Sequence, residues 1–441
     1  MTTASVRFVR VFLTLAGVIV AAAANATLPI QQWQTTSGAR VLFVETHDLP
    51  MLDLAVDFPG GTGRDAPDKS GAAALTLGLM RSGAAALGEE EISERLANIG
   101  ADMSGRLDMD RSGYGLRTLS SARERVEAIG LLAAVLQNPT FPQQIFEREQ
   151  QRTLAGLKEA QTRPEVLADR EFRHLLYGAH PYSRRGSGEV ETVAKLRRED
   201  LVEFYRRHFT AGDAVVSMIG DLTRSEAGAI AEQLTAGLNR RSQPLPPLPP
   251  IAELKTANTS RISHPATQAH ILIGQPGIKR LDPDYFPLFL GNHVLGGGGF
   301  SSRLNEEIRQ KRGYAYSTYS YFNPLAQAGP FQIAVQTRKD QAEDALKVAQ
   351  DTLARFVAEG PTQQELDAAK QNIIGGFPLR IDSNKKIQDY LSIIGFYRLP
   401  LTYLDDFPVQ IEQVTLEQIK EAWRRRIRPE RMATVVVAGA D

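Results

Sequence analysis

The chain has 441 residues, 42% of them hydrophobic and 23% charged, with a net charge of zero and no cysteine. That length implies two or more domains, and that composition supplies apolar material for large cores. A neutral chain lacks the basic excess that general nucleic-acid binding needs, and a cysteine-free one has no disulfides, no thiolate catalysis and no Cys-ligated zinc.

At the N-terminus, Arg7 and Arg10 precede an apolar run from Val11 to Ala24, followed by Ala24-Asn25-Ala26. This has the form of a secretory signal peptide over residues 1–26, cleaved after Ala26. The run is shorter than the ~20 residues a spanning helix needs. The mature chain is therefore expected to be exported, without a stable membrane span, and periplasmic if the source is Gram-negative.

Two strands are expected at Ala39–Glu45 and Met51–Phe58, joined as a hairpin through His47-Asp48-Leu49-Pro50. A small-residue helix should follow over Ser70–Arg81, then an amphipathic one over Glu89–Ile99, stopped by Gly100. Met103–Leu119 reads as two strands, and Ser121–Leu136 and Pro142–Thr162 as helices, with another opening at Arg163-Pro164. Glu199–His208 is again helical, and Ala214–Gly220 is a short strand of the fully buried type. Gln243–Pro250, QPLPPLPP, forces an extended linker.

The two sides of that linker resemble each other. Leu201–Gly220 and Ile419–Gly439 both read as amphipathic helix, aromatic and two arginines, turn, β-branched strand and glycine. The helix–glycine–strand unit around Ile92–Ser104 likewise matches the one around Leu304–Ser317. This implies a duplication. The expected class is α+β, with two homologous domains, each an antiparallel sheet with helices on one face. The boundaries expected are 27–242 for the first, 243–255 for the linker and 256–441 for the second.

The densest stretch is Leu295–Tyr321. Gly296, Gly297, Gly298 and Gly299 lead into a helix that Ser301 or Ser302 can cap, with Leu304 and Ile308 on its apolar face. Gly313 should stop it after a basic turn of Arg309, Lys311 and Arg312. The alternation that follows reads as a strand with Tyr314, Tyr316, Thr318 and Ser320 on one side and Ala315, Ser317, Tyr319 and Tyr321 on the other. Arg309 and Tyr316 then flank one turn and are expected to point into the same cavity. The glycine run is not a phosphate loop, since no G-x-x-x-x-G-K-[ST] is present.

Taken together, the His47–Pro50 turn, Gly60-Gly61-Thr62-Gly63, Leu176–Tyr182 with Gly186–Gly188, Phe204–Gly220 and Gly296–Ser317 resemble the pitrilysin/insulinase superfamily of zinc peptidases. The likeness is to its branch with two homologous domains per chain. Catalytic members carry H-x-x-E-H on the first-domain helix, two histidines for zinc and a glutamate as general base. Here the matching positions are Ala74, Leu77 and Gly78, and the later glutamate ligand falls near Ala155-Gly156. No two of the seven histidines stand four apart. The resemblance therefore implies a chain that binds no metal itself. It also implies that Arg309 and Tyr316 match the family's substrate-holding pair. Gly297, Gly298, Gly299 and Phe300 would contact peptide at a chamber mouth. The expected function is the non-catalytic, substrate-binding subunit of a heterodimeric peptidase whose partner supplies H-x-x-E-H and zinc. The alternative is a structural, assembly or peptide-binding protein that kept the fold without chemistry.

Overall fold

A computed structural model describes residues 28–240 and 244–439; the signal-peptide expectation falls outside them. Strands β1 (Gln31–Gln34), β2 (Arg40–Glu45) and β3 (Met51–Phe58) lead to helix α1 (Ala72–Met80). A two-residue pair, β4 (Gly83–Ala84) and β5 (Leu87–Gly88), precedes α2 (Glu89–Asn98), β6 (Asp102–Leu107) and β7 (Ser112–Leu119). Helices α3 (Ala122–Gln137), α4 (Gln143–Ala160), α5 (Pro164–Tyr177), α6 (Val190–Val193) and α7 (Arg198–His208) follow, then β8 (Val215–Gly220) and α8 (Arg224–Thr235). Beyond an extended segment, the second half runs β9 (Asn258–Ser263), β10 (Gln268–Pro276), α9 (Tyr285–Asn292), β11 (Ala315–Phe322) and β12 (Pro330–Arg338). It ends with α10 (Ala342–Glu359), α11 (Gln363–Gly376), α12 (Asn384–Tyr397), α13 (Tyr403–Gln413), α14 (Leu416–Arg426) and β13 (Ala433–Ala438).

The sheet orders are β1-β2-β8-β3-β7-β6 and β11-β12-β10-β13-β9. Setting β1 aside, they are one topology twice: β2, β3, β6, β7 and β8 correspond to β9, β10, β11, β12 and β13. In each, the last strand of the half inserts beside the first, parallel to it, and every other pairing is antiparallel. The local matches seen in the sequence fall at equivalent places. Helices α7 and α14 feed β8 and β13, and Gly100 and Gly313, at φ +62° and +67°, turn the chain into β6 and β11.

The expected hairpin of β2 with β3 is not formed. β8 lies between them, in register with Arg40–Glu45 on one side and Leu52–Asp57 on the other. The His47–Pro50 turn therefore spans the width of a strand and closes over its end, where Thr46 N–H donates to Gly220 O at 3.2 Å and Asp221 N–H to Met51 O at 3.0 Å. Gly220 is required there: at φ +152°, an added Cβ would sit 2.2 Å from Met51 O.

Each half covers part of the open sheet face of the other. Ala168, Phe172 and Leu176 of α5, spaced four apart, pack with Leu272, Val435 and Val437 on the outer face of the second sheet. Reciprocally, Ile387 and Leu391 of α12 pack with Val44 and Ile219 on the first. Both faces of β8 and β13 are thus buried along nearly their whole length, which is why each is apolar apart from one small hydroxyl residue, Ser217 and Thr434.

Polar contacts fix the exchange. Asp110, in the β6–β7 turn, accepts from the hydroxyl of Tyr182, from Tyr397 at 2.7 Å and from Ala326 N–H at 2.7 Å. Burial holds its carboxyl above the ordinary range, against those three donors. The proline-rich segment is pinned between the halves: Arg64 donates to Pro246 O at 2.6 Å, and His180 Nε2 lies 2.9 Å from Pro249 O.

Candidate functional site

The helix that aligns with the family's metal helix is α1. Its N-terminus is held by Asp65, which is 4% exposed and accepts from Gly71 N–H at 2.8 Å and Ala73 N–H at 2.9 Å. A carboxylate is a good partner for the unpaired donors and positive end of a helix. Burial nevertheless pushes this carboxyl up to about 7. Asp65 then keeps its proton in the folded chain but not in the unfolded one between pH about 4 and 7, so its own contribution to stability is lost as pH rises through that window. Asp65→Asn removes this titration, so the urea midpoint of the parent should fall relative to that of the variant from pH about 4 to 7.

Along α1, Ala74 is half-buried, Leu77 is buried and Gly78 is exposed, with nothing within 4 Å of where its Cβ would be. The Leu77 carbonyl accepts from the buried Tyr114 hydroxyl. On α4, Ala155 and Gly156 are also exposed. A methyl, an isobutyl group and a hydrogen offer no donor atoms to zinc, so these positions do not fit the metal. Among the described residues, no group of three His, Asp or Glu side chains is placed to hold an ion.

The glycine-rich stretch differs in detail from a regular capped helix. His293–Gly297 and Asn305–Gln310 are wide π-type turns, in which Gly298 N–H bonds His293 O and Lys311 N–H bonds Glu306 O. Such turns concentrate at functional sites. Ser301 and Ser302 do not cap. Their hydroxyls donate backward to Gly298 O at 3.1 Å and Gly299 O at 2.7 Å. Leu304 and Ile308 are fully buried, as their spacing requires.

The strand alternation is also broken. A bulge between Ala315 and Ser317 makes Tyr316 the extra residue of β11. Ala315, Thr318 and Ser320 are buried while Tyr316 is thrown outward, 80% exposed. Its hydroxyl has no hydrogen-bond partner among the described residues, and its ring lines a surface hollow with Gln268, Gln336 and Gln341. Arg309 is not in that hollow. It is half-buried, and its guanidinium lies over the exposed Phe300 ring, 4.8 Å from the centroid, without an ion pair among the described residues. The shared cavity expected for the pair is thus not formed within this chain. Gly297 and Gly298 pack against Asn292 and His293, while Gly299, at φ +64°, opens to solvent beside Phe300.

One feature had no sequence signal. The outer face of β10, β12 and β11, left uncovered by α5, floors a groove of about 800 Å³. Tyr319 and Tyr321 stack on it with centroids 6.1 Å apart, and His270 and Gln332 lie beside them.

Two family models match the chain: insulinase (peptidase family M16) over residues 40–184, and the peptidase M16 inactive domain over residues 195–373. A crystal structure of a peptidase M16 inactive domain from Pseudomonas fluorescens is 38% identical, with a TM-score of 0.90 over 94% of this chain and 98% of that one. The non-peptidase homolog YmxG of Helicobacter pylori is 29% identical over 86% of this chain and 87% of its own. An uncharacterized zinc protease of Streptomyces coelicolor is 26% identical over 82% and 80% respectively. The chain belongs to the M16 peptidase family. Within it, this is an inactive homologue, in keeping with Ala74, Leu77 and Gly78 on α1.

Proposed function

We propose that this chain is the non-catalytic, substrate-binding subunit of an exported, two-chain zinc metallopeptidase, organised as domains 27–242 and 256–441 about the 243–255 linker. One observation carries the reading. A guanidinium and a phenol, Arg309 and Tyr316, present donors at the surface of the second half, although among the described residues no His, Asp and Glu group is placed to hold an ion. These exposed and half-exposed donors are open to water, so a ligand or a second chain can take them without breaking a contact inside this chain. The guanidinium is a fixed fork for a peptide carbonyl or C-terminal carboxylate, and the phenol can donate to a developing oxyanion. The partner would supply H-x-x-E-H and its zinc, and Gly297, Gly298, Gly299 and Phe300 would border the peptide between the two chains.

Among the described residues no helix is long and apolar enough to cross a membrane. The mature chain and its closest H-x-x-E-H homologue from the same genome should co-elute as an equimolar complex on size exclusion with light scattering. Separate elution at micromolar concentration of both would reject the two-chain reading.

A further inference from the structure

A pocket of about 330 Å³ opens on the second half, between the loop after β10 and the loop after α12. Its walls are Arg280, Tyr285, Phe286, Leu399, Pro400 and Tyr403. Tyr285 and Phe286 meet edge to face at 5.1 Å, and the hydroxyls of Tyr285 and Tyr403 are hydrogen-bonded to each other. That leaves Arg280 as the unsatisfied group. Its Nε is shielded from solvent and has no hydrogen-bond partner, and the side chain makes no ion pair among the described residues. The guanidinium lies 5.1 Å from the centroid of the Tyr397 ring and close enough to Tyr285 and Tyr403 to act on both electrostatically.

The acidic wall residues do not neutralise it. Asp282 is paired with Arg426 at 2.8 Å, and the exposed Asp406 accepts from the Thr402 hydroxyl at 2.6 Å. The backbone beside the pocket is held in an unfavourable conformation on both sides: Leu281 and Arg398 are non-glycine residues at φ +61° and +56°. Such strain is kept only where the surroundings over-determine it, and it gathers at ligand clamps. On the inner side the loop is fixed, since Arg280 N–H bonds Leu325 O at 2.8 Å and Gly277 N–H bonds Gly329 O at 2.7 Å.

We infer that this pocket binds a monocarboxylate carried on an aromatic or branched apolar body. Arg280 takes the carboxylate, and the tyrosine, phenylalanine and leucine walls take the body. Nε is sealed within the chain, but the terminal Nη1 and Nη2 are not, so a carboxylate in the pocket can take those two nitrogens in the strong, charge-assisted type of bond. The pocket's size, at the small end of ligand sites, suits one aromatic residue and not an extended peptide. Two sources share this chemistry, a free small aromatic acid and the C-terminal residue of a peptide. The site lies apart from Arg309, Tyr316 and the glycine-rich stretch, so it stands or falls independently of the two-chain reading.

The test is titration calorimetry on the mature chain with N-acetyl-L-phenylalanine, its primary amide and 3-phenylpropionate. At least one acid should bind at millimolar concentration or below. The amide should bind at least about tenfold more weakly, and Arg280→Gln should weaken acid binding by about the same factor. Gln410→Trp, which places an indole at the pocket from an exposed position, should abolish binding with the circular dichroism unchanged. Tighter binding of the N-acetyl amino acid marks a peptide terminus, and of 3-phenylpropionate a free acid; either supports the site. Equal binding of acid and amide, binding unaffected by both substitutions, or no binding of either acid would overturn it.

Discussion

Tyr316→Phe is expected to lower kcat/KM of the two-chain enzyme by about 10²- to 10³-fold, the range for removing one oxyanion donor. The substitution deletes one hydroxyl that has no partner among the described residues, from a ring that is 80% exposed. It therefore removes no folding contact, and the melting curve of the isolated chain should not move. The loss should fall on kcat more than on KM if the phenol acts on charge that develops in the transition state. Arg309 gives a companion test. Arg309→Lys keeps the charge and loses the fork, so a lysine variant as slow as Arg309→Ala would assign the role to bidentate geometry. Steady-state kinetics equal to the parent in both Tyr316→Phe and Arg309→Ala would remove the claim that this chain assists catalysis in trans.

The largest stability effect is expected at the seam between the halves. Asp57 on β3 is fully buried, with Arg106 Nε at 3.5 Å and Arg111 Nη1 at 3.8 Å. It also accepts from the hydroxyl of Ser392 on α12, which in turn accepts from Arg111 at 2.5 Å and Arg106 at 3.3 Å. Asp57→Ala leaves two largely buried guanidiniums short of one carboxylate, and breaking such a network costs about 3–5 kcal/mol. Arg106 keeps Asp389 at 2.7 Å and Arg111 keeps Asp108 at 2.8 Å, which favours the lower end of that range. Because α12 belongs to the second half and β3 to the first, the damage should loosen the halves from each other. Hydrogen exchange should rise together in β3, β8 and α12, ahead of α10 and α14. A change in urea stability under about 1 kcal/mol would show that the seam does not depend on this carboxylate.

Most helices and strands were legible because their signals are local. The four-residue spacing of Ile92 and Leu96, the β-branched run of Val215–Gly220 and the glycines at 100 and 313 each act on neighbouring residues alone. The duplication was legible for the same reason, since α7–β8 and α14–β13 repeat one local pattern. What escaped depends on distant parts of the chain. The position of β8 between β2 and β3 is decided by a strand more than 150 residues away, so a turn that looks like a hairpin gives no sign of it. The reciprocal covering of each sheet by α5 and α12 leaves a trace only in the nearly unbroken burial of β8 and β13. At the candidate site, Arg309 and Tyr316 were legible as residue types, but their exposure was not. A bulge shifts every side chain beyond it to the other face, and strict alternation cannot express that. Asp65 was missed as the carboxylate that holds α1, because it lies outside the helix and reaches it only through the folded loop.

The most direct test of the central claim is zinc-dependent hydrolysis of a quenched fluorescent peptide by the mature chain, alone and mixed with the H-x-x-E-H homologue from its genome. This chain alone is expected to show no zinc-dependent turnover, because Ala74, Leu77 and Gly78 supply no ligand and so no metal-activated water. Turnover should appear or rise sharply only in the mixture, saturating at equimolar chains. Zinc-dependent turnover by the homogeneous single chain, or a mixture no faster than the homologue alone, would contradict the claim.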